Sequence, residues 1–231
     1  MGVASLAQVH KARLKKTGEV VAVKVQHRYV KNHSFVDIYT MDFLVRAVKA
    51  VFPQFEFMWL ADEMRKNLPQ ELCFTQEGRN AEKVAQMLSH LRWLKVPKIY
   101  WPLSTDRVLT MEFCSGGFID DVQYMKEHDI DLVGISKKIS RMYADMIYKF
   151  GYVHCDPHAG NILVRKNESG VDEIVLLDHG LYTQLTTHFR VNFSKFMMSI
   201  DTADVEGMKE SAETLNAGKY YGLVKTSNYG P

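Results

Sequence analysis

The sequence predicts an α+β chain of two lobes: a small β-rich N-terminal lobe carrying a helical insert, and a mostly helical C-terminal lobe. Three observations predict it. Residues 19–26, EVVAVKVQ, alternate in character and follow a second extended run across Thr17-Gly18, as a hairpin would. Residues 131–150 repeat apolar side chains at three- and four-residue spacing, the signature of one long helix. Two apolar strand-like runs, 162–164 and 174–177, flank a short polar turn directly after that helix. The size and composition allow both lobes a core: 231 residues, 46% hydrophobic and 24% charged.

Along the chain, Ser5 to Leu14 reads as the first strand and Glu19 to Gln26 as the second, with Val21, Val23 and Val25 on one face and Ala22, Lys24 and Gln26 on the other. Ser34 to Phe52 is predicted helical from Val36, Tyr39, Phe43, Ala47 and Val51, with Pro53 ending it. Phe55 to Leu68 is a second helical or mixed segment. Pro69 is then expected to open a helix over ELCFTQEGRNAEKVAQML that carries Glu71 and Glu77 and is weakened at Gly78. Lys98–Trp101 and Val108–Phe113 read as strands, and Asp131–Phe150 as the long helix, capped by Gly151. Thr186–Ile200 and, more weakly, Asp201–Glu213 read as further helices. The expected divisions are an N-lobe over 1–113, a partial C-lobe over 114–216 and a flexible tail over 217–231.

Net charge is +2, from 29 basic and 27 acidic residues, too balanced for nucleic acid as the main partner. Cys73, Cys114 and Cys155 are odd in number and lack metal-ligand spacing, which points to a reducing compartment. No run of about 18 apolar residues predicts a spanning helix. The first ten residues show neither a signal peptide nor a transit peptide, and Leu6 breaks the myristoylation pattern.

The chemistry concentrates between Gly151 and Gly180. Asp156 and Asn161 stand five apart in one loop, and Asp178 ends the following strand in Asp-His-Gly. A protein kinase's catalytic loop has that Asp-to-Asn spacing. The Asp orients a hydroxyl and takes its proton; the Asn and the later Asp hold metal on the nucleotide phosphates. Val-Ala-Val-Lys ending in Lys24, after a hairpin, is how a kinase brings a lysine to those phosphates, although a lysine on a strand is more often simply solvated. An acid on the predicted Pro69 helix can pair with it, 53 residues away if that acid is Glu77, which implies a helical insert. Met111-Glu112-Phe113-Cys114 followed by two glycines has the form of a hinge, where the backbone of Glu112 and Cys114 would bond an adenine edge. A plain strand-turn-helix corner has that form too, and Cys114 reads as a small wall residue. His158 offers either a charge near the γ-phosphate or a structural imidazole, and His154 reads as a brace of the loop.

These residues carry a resemblance. ASLAQVHKA, VAVKVQ, ELCFTQEGRNAEK and HCDPHAGNILV with LLDHG, spanning about residues 2–182, make the chain similar to the UbiB, or AarF-domain-containing, family of atypical kinases. The resemblance implies a bilobal protein-kinase-like fold binding ATP and Mg²⁺. It implies Lys24 as the phosphate-contacting lysine, Glu77 as its partner, Asp156 as the catalytic aspartate, and Asn161 and Asp178 as metal ligands. It places Ala4 and Ser5 in an alanine-rich nucleotide loop where kinases have glycines. It also implies ATP-dependent phosphoryl transfer or hydrolysis, mitochondrial placement, a lipid or membrane-surface partner and a link to ubiquinone homeostasis. Two departures stand out: Cys73 replaces the aspartate of the family's Glu-x-Asp signature, and His179 replaces the phenylalanine of Asp-Phe-Gly. The chain reads as truncated at both ends, without the strand before the nucleotide loop. A second function class therefore stands beside the enzyme: a non-catalytic nucleotide-binding or scaffold protein.

Overall fold

The computed structural model describes residues 2–3, 7–52 and 58–218. The chain divides into two compact units, Met1–Lys138 with His154–Tyr182, and Ile139–Val153 with Thr183–Pro231. The division expected after Phe113 falls inside the first unit. Most of the expected flexible tail, residues 217–231, lies outside the described residues.

The first unit begins with four strands: β1 (Gly2–Val3), β2 (Ala7–Arg13), β3 (Val20–Gln26) and, later in the chain, β5 (Val108–Glu112), in the order β1-β2-β3-β5 and antiparallel throughout. Gly2 and Val3, expected within the nucleotide loop, instead form a two-residue strand, Gly2 opposite Val9 and Val3 opposite Gln8. Gly18, in the left-handed conformation at φ 75°, turns the β2–β3 hairpin, a geometry a side chain would strain. Register places Lys24 between Val9 of β2 and Leu109 of β5. The alternation read from sequence holds at the site: Ala22 and Lys24 face one cavity, while Val25 is exposed.

Three helices separate β3 from the rest of the sheet: α1 (Val30–Val51), α2 (Met58–Glu71) and α3 (Phe74–Met87). The periodic residues that predicted α1 do form a helix, but Val36, Tyr39, Phe43 and Val51 lie on its exposed side, and among its described side chains Val45 and Ser34 are buried. Pro53 lies outside the described residues. Pro69 does not open the third helix. It sits in the last turn of α2, where it removes one intrahelical bond, and the chain breaks at Leu72–Cys73 before α3 begins. Glu71 therefore ends α2, whereas Glu77 lies in the first turn of α3. α3 packs Phe74 and Ala81 against Ala7, Ile99, Leu109 and Met111. Gly78 is the close-approach point, not a weakness: a Cβ there would lie 2.7 Å from the Trp101 ring.

The expected strand at Lys98–Trp101 is reduced to an isolated bridge at Ile99. Its backbone still meets β5, through Glu112 N–H to Lys98 O (2.8 Å) and Tyr100 N–H to Thr110 O (2.9 Å). Pro97 and Pro102 remove donors on either side, and Pro102 opens a 3₁₀ turn at Trp101–Leu103. A second four-stranded sheet has the order β4-β9-β8-β6, from β4 (Leu94–Lys95), β9 (Asp172–Leu176), β8 (Ile162–Lys166) and β6 (Gly117–Phe118). Ile174, Val175, Leu176 and Val164 are fully buried in it, which fixes the ends of β8 and β9 where Asn161 and Asp178 stand. α4 (Val122–Glu127) follows β6, its N-terminus capped by the Asp121 side chain.

The predicted long helix starts as α5 (Leu132–Ala144) but widens to a π-helical turn at Asp145–Phe150. Gly151 ends it at φ 66°, the left-handed cap expected from sequence. Within the second unit, α6 (Thr187–Asp201) and α7 (Val205–Thr214) start at side-chain caps from Thr186 and Asp204. β7 (Tyr152–His154) and β10 (Tyr182–Gln184) are the remaining strands. No helix among the described residues is long and apolar enough to cross a membrane.

Candidate functional site

The first unit holds a cavity of about 620 Å³ lined by Ala7, Val9, Ala22, Met111, Phe113 and Leu177 as its apolar wall, and by Lys24, Glu77, Asp156, Asn161 and Asp178 as its polar end. Glu112 and Cys114 line it as well. Every described residue singled out from the sequence for this site thus faces one space. Ala4 and Ser5 lie outside the described residues.

Lys24 is the centre of the polar end. β3 carries it inward, and its Nζ donates to Glu77 Oε1 and to Asp178 Oδ2, each at 2.7 Å. The Phe74 ring lies 5.2 Å away. Burial alone would lower the lysine, but the charges of Glu77 and then Asp178 outweigh it and hold the ammonium above its ordinary value. Glu77 is nearly fully buried. That burial raises its carboxyl to about 7 against the attraction of Lys24, and the like charge of Asp178 pushes the same way. For Asp178 burial works upward too, but the Lys24 charge and the bonds from Lys24 and the Gly180 amide win and hold it below the usual carboxylate range.

Two loops bring the remaining carboxylate and amide to the same space. His154 joins them: its Nε2–H donates to Asp178 O (2.9 Å) and its Nδ1 accepts from the Asp156 amide (3.0 Å). This arrangement needs the neutral imidazole, and burial lowers the pKa of His154 accordingly. Asn161 donates Nδ2 to Asp156 O at 3.2 Å and to Asp156 Oδ2 at 3.4 Å, which turns its own carbonyl oxygen away from that loop. Asp156 itself is largely exposed. His158 accepts from the Gly160 amide (3.1 Å), and its Nε2 lies 3.6 Å from Asp156 Oδ2, beyond hydrogen-bond range.

The segment 112–117 is tied down on both sides. Glu112 spends its carboxylate on Lys95 (2.7 Å) and on the Lys98 amide (3.1 Å), and its own amide on Lys98 O (2.8 Å), so a ligand could meet only its backbone carbonyl. Cys114 is buried, and burial raises its thiol, which makes it a wall residue and not a nucleophile. Gly117 is required where it stands, since a Cβ would fall within 2.1 Å of the Tyr124 ring.

His179 does what an aromatic ring would do at that position. It is buried, donates Nε2–H to Leu176 O (3.1 Å) and accepts from the Tyr182 hydroxyl at Nδ1 (2.9 Å). Burial lowers its pKa to about 4, so it is neutral packing that closes the Asp178-His179-Gly180 turn. Asn80, which the sequence reading passed over, also meets this turn, donating Nδ2–H to His179 O at 2.8 Å. A polar amide at a buried helical position three residues after Glu77 was the available signal. The described residues contain no cluster of three or more His, Cys, Asp or Glu able to hold a metal; the side-chain oxygens lining the cavity come from Glu77, Glu112, Asp156, Asn161 and Asp178, with Glu77 bonded to Lys24 and Glu112 to Lys95.

Residues 1–212 match the ABC1 atypical kinase-like domain. The chain is 54% identical over 224 residues to the mouse AarF domain-containing protein kinase 1, covering 96% of this chain and 42% of that protein. It is 51% identical to the Drosophila melanogaster AarF domain-containing kinase 1, covering 96% and 43%. It is 43% identical to an ABC1 family protein, the MCP2 homologue of Schizosaccharomyces pombe, covering 90% and 38%. The chain thus spans about two fifths of the length of these relatives. Among solved structures, Rv3197 of Mycobacterium tuberculosis, in complex with erythromycin, superposes with a TM-score of 0.70 over 91% of this chain and 52% of that one. At 22% identity that likeness concerns the fold alone. The chain belongs to the ABC1, or AarF-domain, family of atypical kinases.

Proposed function

We propose that this chain binds ATP with Mg²⁺ and transfers or hydrolyses its terminal phosphoryl group. The observation that carries this is one cavity in which a buried lysine, two carboxylates bonded to it, an exposed aspartate and an asparagine amide converge beside an apolar wall. In this reading the wall formed by Val9, Ala22, Met111 and Leu177 takes the purine, and the Lys24 ammonium takes the phosphates. Glu77 keeps Lys24 in place. Asp156, with no lysine or arginine bonded to it among the described residues, orients the attacking hydroxyl or water and accepts its proton. The Asn161 carbonyl oxygen and the Asp178 carboxylate are the hard oxygen donors that would hold Mg²⁺, which neutralises phosphate charge when bound. For Asp178 to serve there it must loosen its bond to Lys24, so nucleotide and metal are expected to bind together.

Thermal unfolding with and without Mg-ATP tests the reading. Ligand that binds only the folded state, at about 100 times its Kd, adds about 2.7 kcal/mol and raises the midpoint. The rise should require both Mg²⁺ and ATP, and should vanish in Lys24→Ala and in Asp178→Asn. A cooperative melt with no response to Mg-ATP refutes it and leaves the scaffold reading. Release of the terminal phosphate, followed in the presence and absence of candidate hydroxyl acceptors, then separates transfer from hydrolysis. A role in mitochondrial lipid or ubiquinone homeostasis is part of this proposal and rests on the family resemblance alone; fractionation of cells making the full-length protein checks the placement.

A further inference from the structure

After β9 ends at Leu176 the chain leaves the sheet, and its carbonyls must find partners elsewhere. Side chains supply them. Leu176 O accepts from the His179 ring, Asp178 O from the His154 ring, and His179 O from Asn80 Nδ2. The first donor belongs to the turn and the second to the loop that carries Asp156. The third comes from α3, the helix that also carries Glu77. Asn80 is buried, and its own oxygen accepts from Gln76 Nε2 at 2.8 Å, one turn earlier on α3. That bond fixes which way the Asn80 amide faces: nitrogen toward the turn, oxygen toward Gln76. α3 therefore reaches the turn from two of its residues: through Glu77, which is bonded to Lys24 and also faces the His179 amide, and through Asn80 to the His179 carbonyl.

We propose that Asn80, oriented by Gln76, is a positioning residue that holds the Asp178-His179-Gly180 turn with the Asp178 carboxylate toward the cavity, coupling the place of α3 to the metal-binding geometry. The Lys24 and Asn80 bonds to this turn differ in kind. The Lys24 bond pulls on a carboxylate that nucleotide and metal are expected to claim. The Asn80 bond pulls on a peptide carbonyl that no ligand competes for, so it persists when Asp178 leaves Lys24. The turn then keeps its place while the side chain changes partner. The metal arm of this inference rests on the function proposed above; the backbone arm does not.

The test uses two substitutions. Asn80→Ala removes the donor. Gln76→Glu leaves Asn80 intact but replaces the donor it accepts from with a carboxylate, which favours the flipped amide and sets the Asn80 oxygen against His179 O. Hydrogen exchange on the ligand-free chain should show the amides of 178–182 exchanging about tenfold faster in both variants, the loss expected for one buried hydrogen bond, with β2 and β3 unchanged. In the Mg²⁺ titration of the ATP-dependent midpoint rise, both variants should need several-fold more Mg²⁺ while the ATP concentration for half-effect at saturating Mg²⁺ stays near wild type. Unchanged exchange at 178–182, or exchange that rises equally along all of α3, overturns the proposal by making Asn80 an ordinary helix residue. An equal loss of Mg²⁺ and ATP affinity overturns the coupling to metal. If the wild-type chain shows no response to Mg-ATP, the function reading fails, and the exchange comparison still decides whether Asn80 holds the turn. Should Asn80→Ala fail to fold, Gln76→Glu carries the same comparison.

Discussion

The two halves of the site are built differently. On the Lys24 side the charged groups are sunk and interlocked: the Lys24 side chain is 12% exposed and Glu77 2%, with Asp178 at 31% bonded to the same ammonium. On the Asp156 side they stand in solvent: the Asp156 side chain is 54% exposed and His158 57%. The first half draws its groups from three elements far apart in sequence, so its order is bound up with folding. The second half is a single loop whose backbone is braced by His154 and Asn161 while its carboxylate is left open. Charge that is buried must be paired, and pairing makes the site part of the core. Charge that is exposed costs little to hold and is available to a substrate.

The strongest way to break this contrast is Lys24→Ala. It leaves Glu77 buried with no cation and takes the main partner from Asp178, and removing one member of a buried pair costs about 3–5 kcal/mol. Chemical denaturation should show a loss of that order. Replacing both Lys24 and Glu77 by apolar residues of similar size should recover much of it, since no charge is then stranded. A loss under about 1 kcal/mol for the single change would show that the interlock is not part of the core.

A second test sharpens the contrast by pH. His179 is buried neutral, with its pKa depressed from 6.5 to about 4. A depressed folded-state value means that the neutral ring's stabilisation is in full force above the unfolded value, near pH 6.5, and is lost as pH falls toward and through about 4. The span corresponds to about 3 kcal/mol. In His179→Phe the decline in melting temperature between pH 6.5 and 4 should be shallower, with a small change at neutral pH as two hydrogen bonds are exchanged for apolar burial. An unchanged slope would assign the acid sensitivity to other groups. His154, also buried and lowered, contributes in the same direction and remains in the variant as background.

How much of this was legible in the chain follows from what each signal encodes. The Lys24, Asp156, Asn161 and Asp178 positions were readable because each sits at a fixed offset from a strand end, and apolar runs mark strand ends locally. Spacing offered Glu71 and Glu77 alike as the acid after the insert, and only the family resemblance pointed to Glu77. The start of the helix that carries Glu77 was not readable. Its N-cap is Cys73 and makes no side-chain cap bond, so the usual Ser, Thr or Asp signal is absent and Pro69 drew the boundary instead. The break is held by distant groups: Gln26 Nε2 to Leu72 O, the Phe74 amide to Asp106 O and the Thr75 hydroxyl to Asp106 Oδ1. The π-helical turn at Asp145–Phe150 was hidden for another reason. The apolar residues leading into and through it, Met142 of α5 and then Met146 and Phe150, fall four apart, a spacing that an α-helix shares. Asn80 offered only a polar amide three residues after Glu77, with nothing to say what it meets. Its partner is a backbone carbonyl 99 residues away, and only tertiary structure joins them.

The smallest expected effect on stability belongs to Asp156→Asn, and it probes the open half directly. The change keeps the side-chain shape, an oxygen for the long contact from Asn161 and the backbone oxygen that Asn161 also reaches. With the carboxylate 54% exposed and no lysine or arginine bonded to it among the described residues, the folded chain should lose no more than about 0.5 kcal/mol. Mg-ATP should still raise the melting midpoint, because the Lys24 half is untouched. Turnover should fall by about 10²–10⁴, the usual worth of a positioned acid–base group, since the amide cannot take a proton from the attacking hydroxyl or water. Normal stability with normal nucleotide binding and lost turnover would separate the two halves as binding and chemistry. Turnover that survives would move the proton acceptor away from Asp156, with His158, whose Nε2 lies 3.6 Å from that carboxylate, as the next residue to replace.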